Sequence, residues 1–325
     1  MNRKIIIAAI GIACIAAVYK LKLQPRFEGS NLPIVAIVKY GPIPPIDAAI
    51  QGIKDELTDS GFAEDRNVKY VISDINFDYS LIPQTVSNLR NGKPNVMVVT
   101  ATAIAQFAKE KVKDIPLVYH VVTDPVDSGL IKERDKPDGN MTGTSDMQNL
   151  DALLTFVKSI LPNAKTVGLM YSTFDSNDRT LVNMMKKSAS AAGMSVMAIP
   201  VEQLRDVQIR IQEFKGKADF IYVGASGLLQ SALPVIAKET QKMNVPVFNI
   251  EEQAVRDGLV LASFGVDYES IGRNAGKLVE KLLKGADIKT LSPSYPSIKD
   301  HKCFINRKQA EKYGIKIPKN AEVVG

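Results

Sequence analysis

Tryptophan is missing from the 325 residues, cysteine and histidine appear twice each, and aromatic side chains make up only 6% of the chain. Each scarcity removes a class of protein. Cys14 and Cys303 are too few for a disulfide framework, and Cys14 sits inside an apolar leader, away from the folded body. His120 and His301 are the only imidazoles, and no Cys or His pair stands at ligand spacing, which argues against a structural zinc site or another bound transition metal. Charge of one sign is scarce as well. The formal net charge is +6, yet Arg3, Lys4, Lys20 and Lys22 fall in the first 22 residues with no acid among them, and the remainder carries only +2 in mixed order. Nucleic acid needs a concentrated stripe of Lys and Arg, so it is set aside as a partner. There is no Gly-x-Gly-x-x-Gly, no Walker-type loop and no His-Glu-x-x-His. Nothing in the chain requires a cofactor.

The long apolar run is confined to the start. Arg3-Lys4 precede an unbroken apolar stretch from Ile5 to Val18, followed by Tyr19-Lys20-Leu21-Lys22. That stretch is shorter than the ~20 residues a membrane span needs and matches the apolar region of an export signal. Ala13, Ala16 and Ala17 suit a signal peptidase, whereas Gly11-Ile12-Ala13-Cys14 only partly matches a lipoprotein box. A cleaved signal is the first reading, an uncleaved anchor the second and a lipoprotein the third. Residues 1–26 are therefore leader plus linker, and the body is expected in the periplasm or at the outer face of the cytoplasmic membrane.

From Leu32 onward, short apolar strands alternate with amphipathic helices. Strands are expected at 34–38, 68–73, 96–99 and 117–122, and again at 166–171, 195–199, 220–223 and 245–248, with single helices at 203–214 and 228–243 among those between them. Such alternation implies right-handed crossovers and parallel sheets. The fold class is α/β, with two doubly wound parallel-sheet lobes joined by a multi-strand hinge. At 45% hydrophobic, the chain can bury two ordinary cores. The apolar segment 258–263, the patterned helix 268–283 and a short strand at 302–306 are too few for a third domain. The chain is thus expected to cross back twice, giving one lobe from 32–145 with 264–290 and another from 146–263 with 291–325.

The first crossing is the stretch Tyr119 to Asp146, where a buried strand breaks at Thr123-Asp124-Pro125 and the chain re-extends through Met141 to Ser145. In open α/β sheets ligands bind beyond the carboxyl ends of the strands. The polar groups expected there are Tyr40, Thr100, Thr102, Thr123 and Asp124 in the first lobe, Ser145 and Asp146 at the crossing, and Ser172, Asn177, Ser226 and Glu251 in the second. Backbone N–H groups at helix starts, such as after Thr102, suit an anionic part of a ligand. Helix capping is the ordinary role of such residues, but Asp124 and Asp146 are not required as caps by this arrangement of elements. Asp124 is the carboxylate expected to hold an ammonium group.

Gly224-Ala225-Ser226-Gly227 approaches a nucleophile elbow, but its second glycine comes one residue too early for Gly-x-Ser-x-Gly. His120, near the end of an apolar strand, reads as a core residue, and His301 as a solvated one. No enzyme is indicated. The charged run 132–136 reads as a solvated loop and Met184 and Met185 as packing residues. Tyr40, Phe77, Tyr171 and Phe174 are the rings available to stack on a planar ligand.

Thr123-Asp124-Pro125-Val126 with Gly129-Leu130, then Gly139-Asn140-Met141-Thr142-Gly143 with Ser145-Asp146, form a recognisable pattern. It resembles the TDPV…GL and GNxTGxSD pattern of extracytoplasmic ABC-transporter substrate-binding proteins of the type I periplasmic fold, in the branch that includes tryptophan and tyrosine binders. Ser231-Ala232-Leu233-Pro234, Val245-Pro246-Val247 and Gly265-Val266-Asp267-Tyr268 with Gly272-Arg273 extend the likeness over nearly all of the chain after Leu32. Three loops depart from the pattern. Tyr40-Gly41-Pro42 replaces a His-Pro pair, Gly224-Ala225-Ser226-Gly227 replaces a Thr-Asp-Asn loop, and Asn249-Ile250-Glu251-Glu252 stands at the later acidic loop. The resemblance implies a monomer that closes on a small polar solute, an amino acid or similar metabolite, and hands it to an ABC permease in the membrane. A membrane-anchored ligand sensor and a hydrolase using Ser226 are the alternatives.

Overall fold

The computed structural model describes residues 32–319 and 321–325. The expected leader lies outside the described residues, and among those described no helix is long and apolar enough to cross a membrane.

The first lobe is built from β1 (Ile34–Lys39), α1 (Pro44–Asp59), β2 (Lys69–Asp74), α2 (Ile82–Asn91), β3 (Val96–Thr100), α3 (Thr102–Lys111), β4 (Leu117–Val122) and β5 (Met141–Ser145). These strands form one parallel sheet in the order β2-β1-β3-β4-β5. Every residue of β3 is buried, and β1 is buried up to its last residue, as strands covered by helices on both faces must be. The second lobe follows with α4 (Leu150–Ile160), β6 (Thr166–Ser172), α5 (Ser176–Ala191), β7 (Ser195–Val201), α6 (Val207–Arg210), β8 (Phe220–Val223), α7 (Gly227–Ser231), α8 (Leu233–Met243), β9 (Val247–Asn249), α9 (Glu252–Arg256) and β10 (Ala262–Val266). After α10 (Tyr268–Leu283) come β11 (His301–Asn306), α11 (Arg307–Lys312) and β12 (Glu322–Val324). The second sheet runs β12-β11-β10-β9-β8-β6-β7, and β11 is antiparallel to β10.

After β10 the chain packs α10 against the first sheet and returns to the second with β11. Residues 264–266 finish β10 in the larger sheet, and the strand begins at Ala262 because Gly258 to Leu261 make the turn out of α9. Residues 291–294 stay with the first lobe: Thr142 Oγ1 donates to the Leu291 carbonyl at 2.7 Å, and Ser294 exchanges 2.9 Å backbone bonds with Gly143 and Ser145. Two expected helices are interrupted. Residues 204–214 form short 3₁₀ and α turns, opened by a reciprocal capping pair between Gln203 and Asp206. The other helix breaks at Ala232 because Pro234, with no N–H to give, restarts it as α8.

Helix α10 joins the lobes covalently but belongs by packing to the first. Ala275, Leu278 and Val279 lie at helical spacing and enter the same core as Ile50, Ile53 and Leu57 of α1. The two helices meet backbone to backbone: a Cβ at Gly272 would lie 2.0 Å from the Ala49 carbonyl oxygen, and one at Gly52 would lie 2.3 Å from that of Glu269. Neither obstacle is a side chain that can swing away. Gly272→Ala is expected to destabilise the chain by about 3 kcal/mol, at the upper end of ordinary overpacking. Urea unfolding measures this, and a loss below 0.5 kcal/mol would mean that the helices separate freely.

Candidate functional site

A cavity of about 60 Å3 lies between the carboxyl ends of the two sheets. Its wall in the first lobe begins at Tyr40, directly after β1. The Tyr40 ring meets Phe77 edge-on at 5.3 Å and Tyr79 at 5.5 Å, and its hydroxyl lies 3.0 Å from that of Tyr79. Burial pushes the Tyr40 hydroxyl up to about 12, so it stays protonated. Farther along, Ala101 holds φ +68° and ψ 154°, a backbone conformation costly for any residue with a Cβ. It opens α3 without a side-chain cap, and Ala101, Thr102 and Ala103 all line the cavity. The first N–H groups of α3 have no intrahelical acceptor and carry the positive end of the helix dipole.

Thr123 and Asp146 line the cavity beside the crossing strands. Asp146 is 2% exposed. Its Oδ2 accepts a 3.2 Å bond from the Tyr268 hydroxyl, while Oδ1 has no hydrogen-bond partner among the described residues. Burial pushes this carboxyl up to about 6, and the Tyr268 hydroxyl, its own backbone N–H and the neighbouring Thr123 side chain only partly oppose the rise.

The wall in the second lobe is organised by Asp178 at the start of α5. Its Oδ2 accepts from the Ser172 backbone N–H at 2.6 Å and from Ser226 Oγ at 2.7 Å, and its Oδ1 accepts from Asn177 Nδ2 at 3.2 Å. Burial raises Asp178 to about 7 against the pull of the Ser172 and Ser226 donors. Asn177 Nδ2 also donates to the Ala225 carbonyl at 3.0 Å, which locks the two loops together. Glu251 lines the cavity with no hydrogen bond or ion pair to its carboxyl among the described residues, and burial alone lifts it to about 7. No Lys, Arg or His lines the cavity among the described residues. Its charged groups are all acidic, and fixed donors come from the α3 terminus and hydroxyls.

The lobes touch across the mouth. The Tyr79 hydroxyl donates to Asp175 and the Thr180 hydroxyl to Asp127, each bond joining one lobe to the other. Gly227, at the first turn of α7, sits so close to Tyr40 that a Cβ there would lie 2.6 Å from its ring.

Seven of the eleven residues expected from the sequence line the cavity: Tyr40, Thr102, Thr123, Asp146, Asn177, Ser226 and Glu251. The other four do not, and local bonds explain each. Thr100 Oγ1 donates to the Val38 carbonyl at 2.9 Å and accepts from the Tyr40 N–H at 3.1 Å, stitching β3 to β1. Asp124 accepts from the N–H groups of Val126 and Asp127 at 2.9 and 3.1 Å, so it caps its own turn after all, outside the cavity. Ser145 Oγ donates to the Thr123 carbonyl at 2.9 Å, and Ser172 Oγ accepts from the Phe174 N–H at 3.3 Å. Of the rings expected to stack, only Tyr40 lines the cavity. Phe77 props it from behind, and Phe174 is 73% exposed outside. Tyr79, Asp175, Gln230 and Tyr268 line the cavity without having been expected there. Tyr79 follows Asp78 in a one-turn 3₁₀ segment with no periodic signal, and its partner Asp175 lies 96 positions away.

Ser226 lacks the surroundings of a nucleophile. Its Oγ donates to Asp178 and caps α7. His120 is buried against Thr144 Oγ1 at 2.7 Å and is pushed down to about 4 by burial, while His301 is bonded to the Ser297 carbonyl and the Asn149 N–H. Neither imidazole bonds to Ser226.

Comparison with known proteins agrees with this geometry. A family model described as ABC transporter substrate binding protein matches residues 34–324. A tyrosine-binding protein of Clostridioides difficile strain R20291 is 31% identical over 258 residues, covering 79% of this chain and 74% of the relative. The crystal structure of an ABC domain in complex with L-Trp from Streptococcus pneumoniae is 28% identical and aligns over 91% of this chain and all of the other, with a TM-score of 0.84. The ligand-free, open structure of a substrate-binding protein with adhesive properties from Clostridium difficile is also 28% identical, over 90% of this chain and 99% of the other, but its TM-score is 0.71. At equal identity the chain overlays the L-Trp complex more closely than it does the ligand-free, open structure.

Proposed function

The chain belongs to the ABC transporter substrate-binding protein family, and we propose that it acts as a monomer outside the cytoplasmic membrane, closes on an aromatic amino acid and delivers it to an ABC permease. The observation that carries this reading is the buried carboxyl of Asp146, whose Oδ1 has no partner at hydrogen-bond geometry, in a residue lining a cavity that holds no cation among the described residues. A solute ammonium group satisfies it with a charge-assisted hydrogen bond kept from water. The solute's carboxylate then belongs at the uncapped start of α3, where the Thr102 hydroxyl adds a donor. Tyr40, Tyr79, Ile43 and Ile46 supply the apolar and aromatic surface for a ring. The relatives point the same way, one named for tyrosine and the other solved with L-Trp. The family's work is solute binding, and the apolar run from Ile5 to Val18 supports export.

Thermal unfolding of the purified chain against amino acids, sugars, nucleosides and polyamines tests this. A solute at 100 times its dissociation constant adds ~2.7 kcal/mol of stability. A rise confined to Tyr, Trp or Phe is the expected result. A rise with a sugar or nucleoside and none with amino acids would remove the amino acid from this site.

A further inference from the structure

Beside Asp146 the cavity continues into a small extension of about 10 Å3, room for one water-sized group, with Thr123, Asp146 and Asn177 lining both spaces. Gln148 lines the extension and not the main cavity, and Leu181 and Met184 give it aliphatic walls. Gln148 and its neighbour Asp146, which lines both spaces, share one deficiency. Asp146 Oδ1 and Gln148 Oε1 are both buried without a hydrogen-bond partner among the described residues, in side chains only 2% and 5% exposed. The amide of Gln148 is oriented by its own backbone: Nε2 donates to the Asp146 carbonyl at 2.9 Å, which leaves Oε1 as the end with nothing to accept.

A lone buried acceptor costs stability, and two of them two residues apart, one ionisable, are a larger cost. Their chemistry defines what relieves them. Both accept and neither donates, so the missing group must bring several donors, and the carboxylate favours one with positive charge. A hydroxyl brings one donor and no charge. A primary ammonium brings three donors and a full charge in a volume little larger than a methyl group. We propose that this extension seats the primary ammonium of the solute, and that Gln148 acts with Asp146 to select solutes with a free amino group over N-alkylated or amine-free ones. This inference rests on the amino-acid reading above and adds to it a residue, Gln148, and a rule of selection. Sites that hydrogen-bond a substrate group reject analogues lacking it, because their own buried atoms are then left unpaired.

Calorimetric titration of the full chain and of Gln148→Met tests it with four probes: L-tyrosine, L-tryptophan, and their deaminated forms 3-(4-hydroxyphenyl)propionate and indole-3-propionate. Gln148→Met keeps length and bulk but removes the acceptor. It is expected to weaken binding of the two amino acids about tenfold or more, the size of one hydrogen bond to a charged group, and to leave the deaminated forms unchanged. Any general disturbance by the substitution affects both members of a pair and cancels in their ratio. Equal losses for both members, or no loss for either, would overturn the seat while leaving amino-acid binding intact. Failure of the unmodified chain to bind either amino acid would overturn the amino-acid reading itself, and the seat with it. Should Gln148→Met not fold, the unmodified chain still decides: N,N-dimethyl-L-tyrosine is expected to bind at least tenfold more weakly than L-tyrosine, and equal affinity overturns the proposal.

Discussion

An Asp146→Asn chain is expected to bind a free amino acid about 100-fold more weakly than the unmodified protein and yet to be harder to unfold. The first effect follows from removing one partner of a buried, hydrogen-bonded charge pair, which costs ~2–5 kcal/mol. The second follows from the sign of the carboxyl's shift. Burial raises Asp146 from its ordinary 3.8 to about 6, so between those values the folded chain holds a proton that the unfolded chain has released. The stability this group contributes is therefore full below pH 4, falls as pH rises toward 6, and leaves a penalty of about 3 kcal/mol above that. Asparagine has the same shape, can still accept from Tyr268, and carries no such penalty. Urea unfolding at pH 4 and pH 7.5 separates the terms: the variant should gain stability over the unmodified chain only at the higher pH. An equal difference at both values would show that ionisation of Asp146 is not what burial opposes. Weakened binding joined to increased stability marks a residue kept for its ligand.

Gly227→Ala is expected to leave both lobes folded and to keep them from closing. The added Cβ would lie 2.6 Å from Cε1 and 2.7 Å from the hydroxyl oxygen of Tyr40, in the other lobe. Tyr40 cannot easily retreat, because Phe77 stands edge-on behind it and the Tyr79 hydroxyl holds its own. Overpacking of this kind costs ~1–3 kcal/mol, here charged only to the closed form. Solute affinity should accordingly fall by about 30-fold, and small-angle scattering at saturating solute should show less contraction than in the unmodified chain. Urea unfolding without solute should change little. A normal contraction with normal affinity would mean that the contact between Gly227 and Tyr40 does not limit closure.

The architecture was legible because apolar strands and striped helices are short-range patterns, and most parallel strand pairs are joined through a helix, the exception being β4 and β5. The site was legible in part, for a physical reason visible in single residues. Position at a strand end shows that Thr100, Asp124, Ser145 and Ser172 stand near a cleft, but not whether the backbone has already used their oxygens, and in all four it has. Asp146 and Asp124 read alike in sequence and differ in the fold only because Asp124 has two N–H groups of its own turn to accept from. Tyr79 and Asp175 meet across 96 residues, and nothing local to either announces the other. Gln148 lies in the irregular link between β5 and α4, where periodicity carries no information.

The return of α10 to the first lobe has a consequence for how the protein is made. Ile53 and Leu57 of α1 share a core with Ala275 and Val279, and the edge of β5 bonds to Ser294. The β12 strand at the edge of the second sheet ends at Val324. Neither lobe can complete its core or its sheet from the first two thirds of the chain. A ribosome therefore releases nearly the whole polypeptide before a finished lobe exists, and contacts this distant in sequence form slowly. Late folding of that kind keeps a chain extended for longer, the condition under which it can be threaded through a narrow pore.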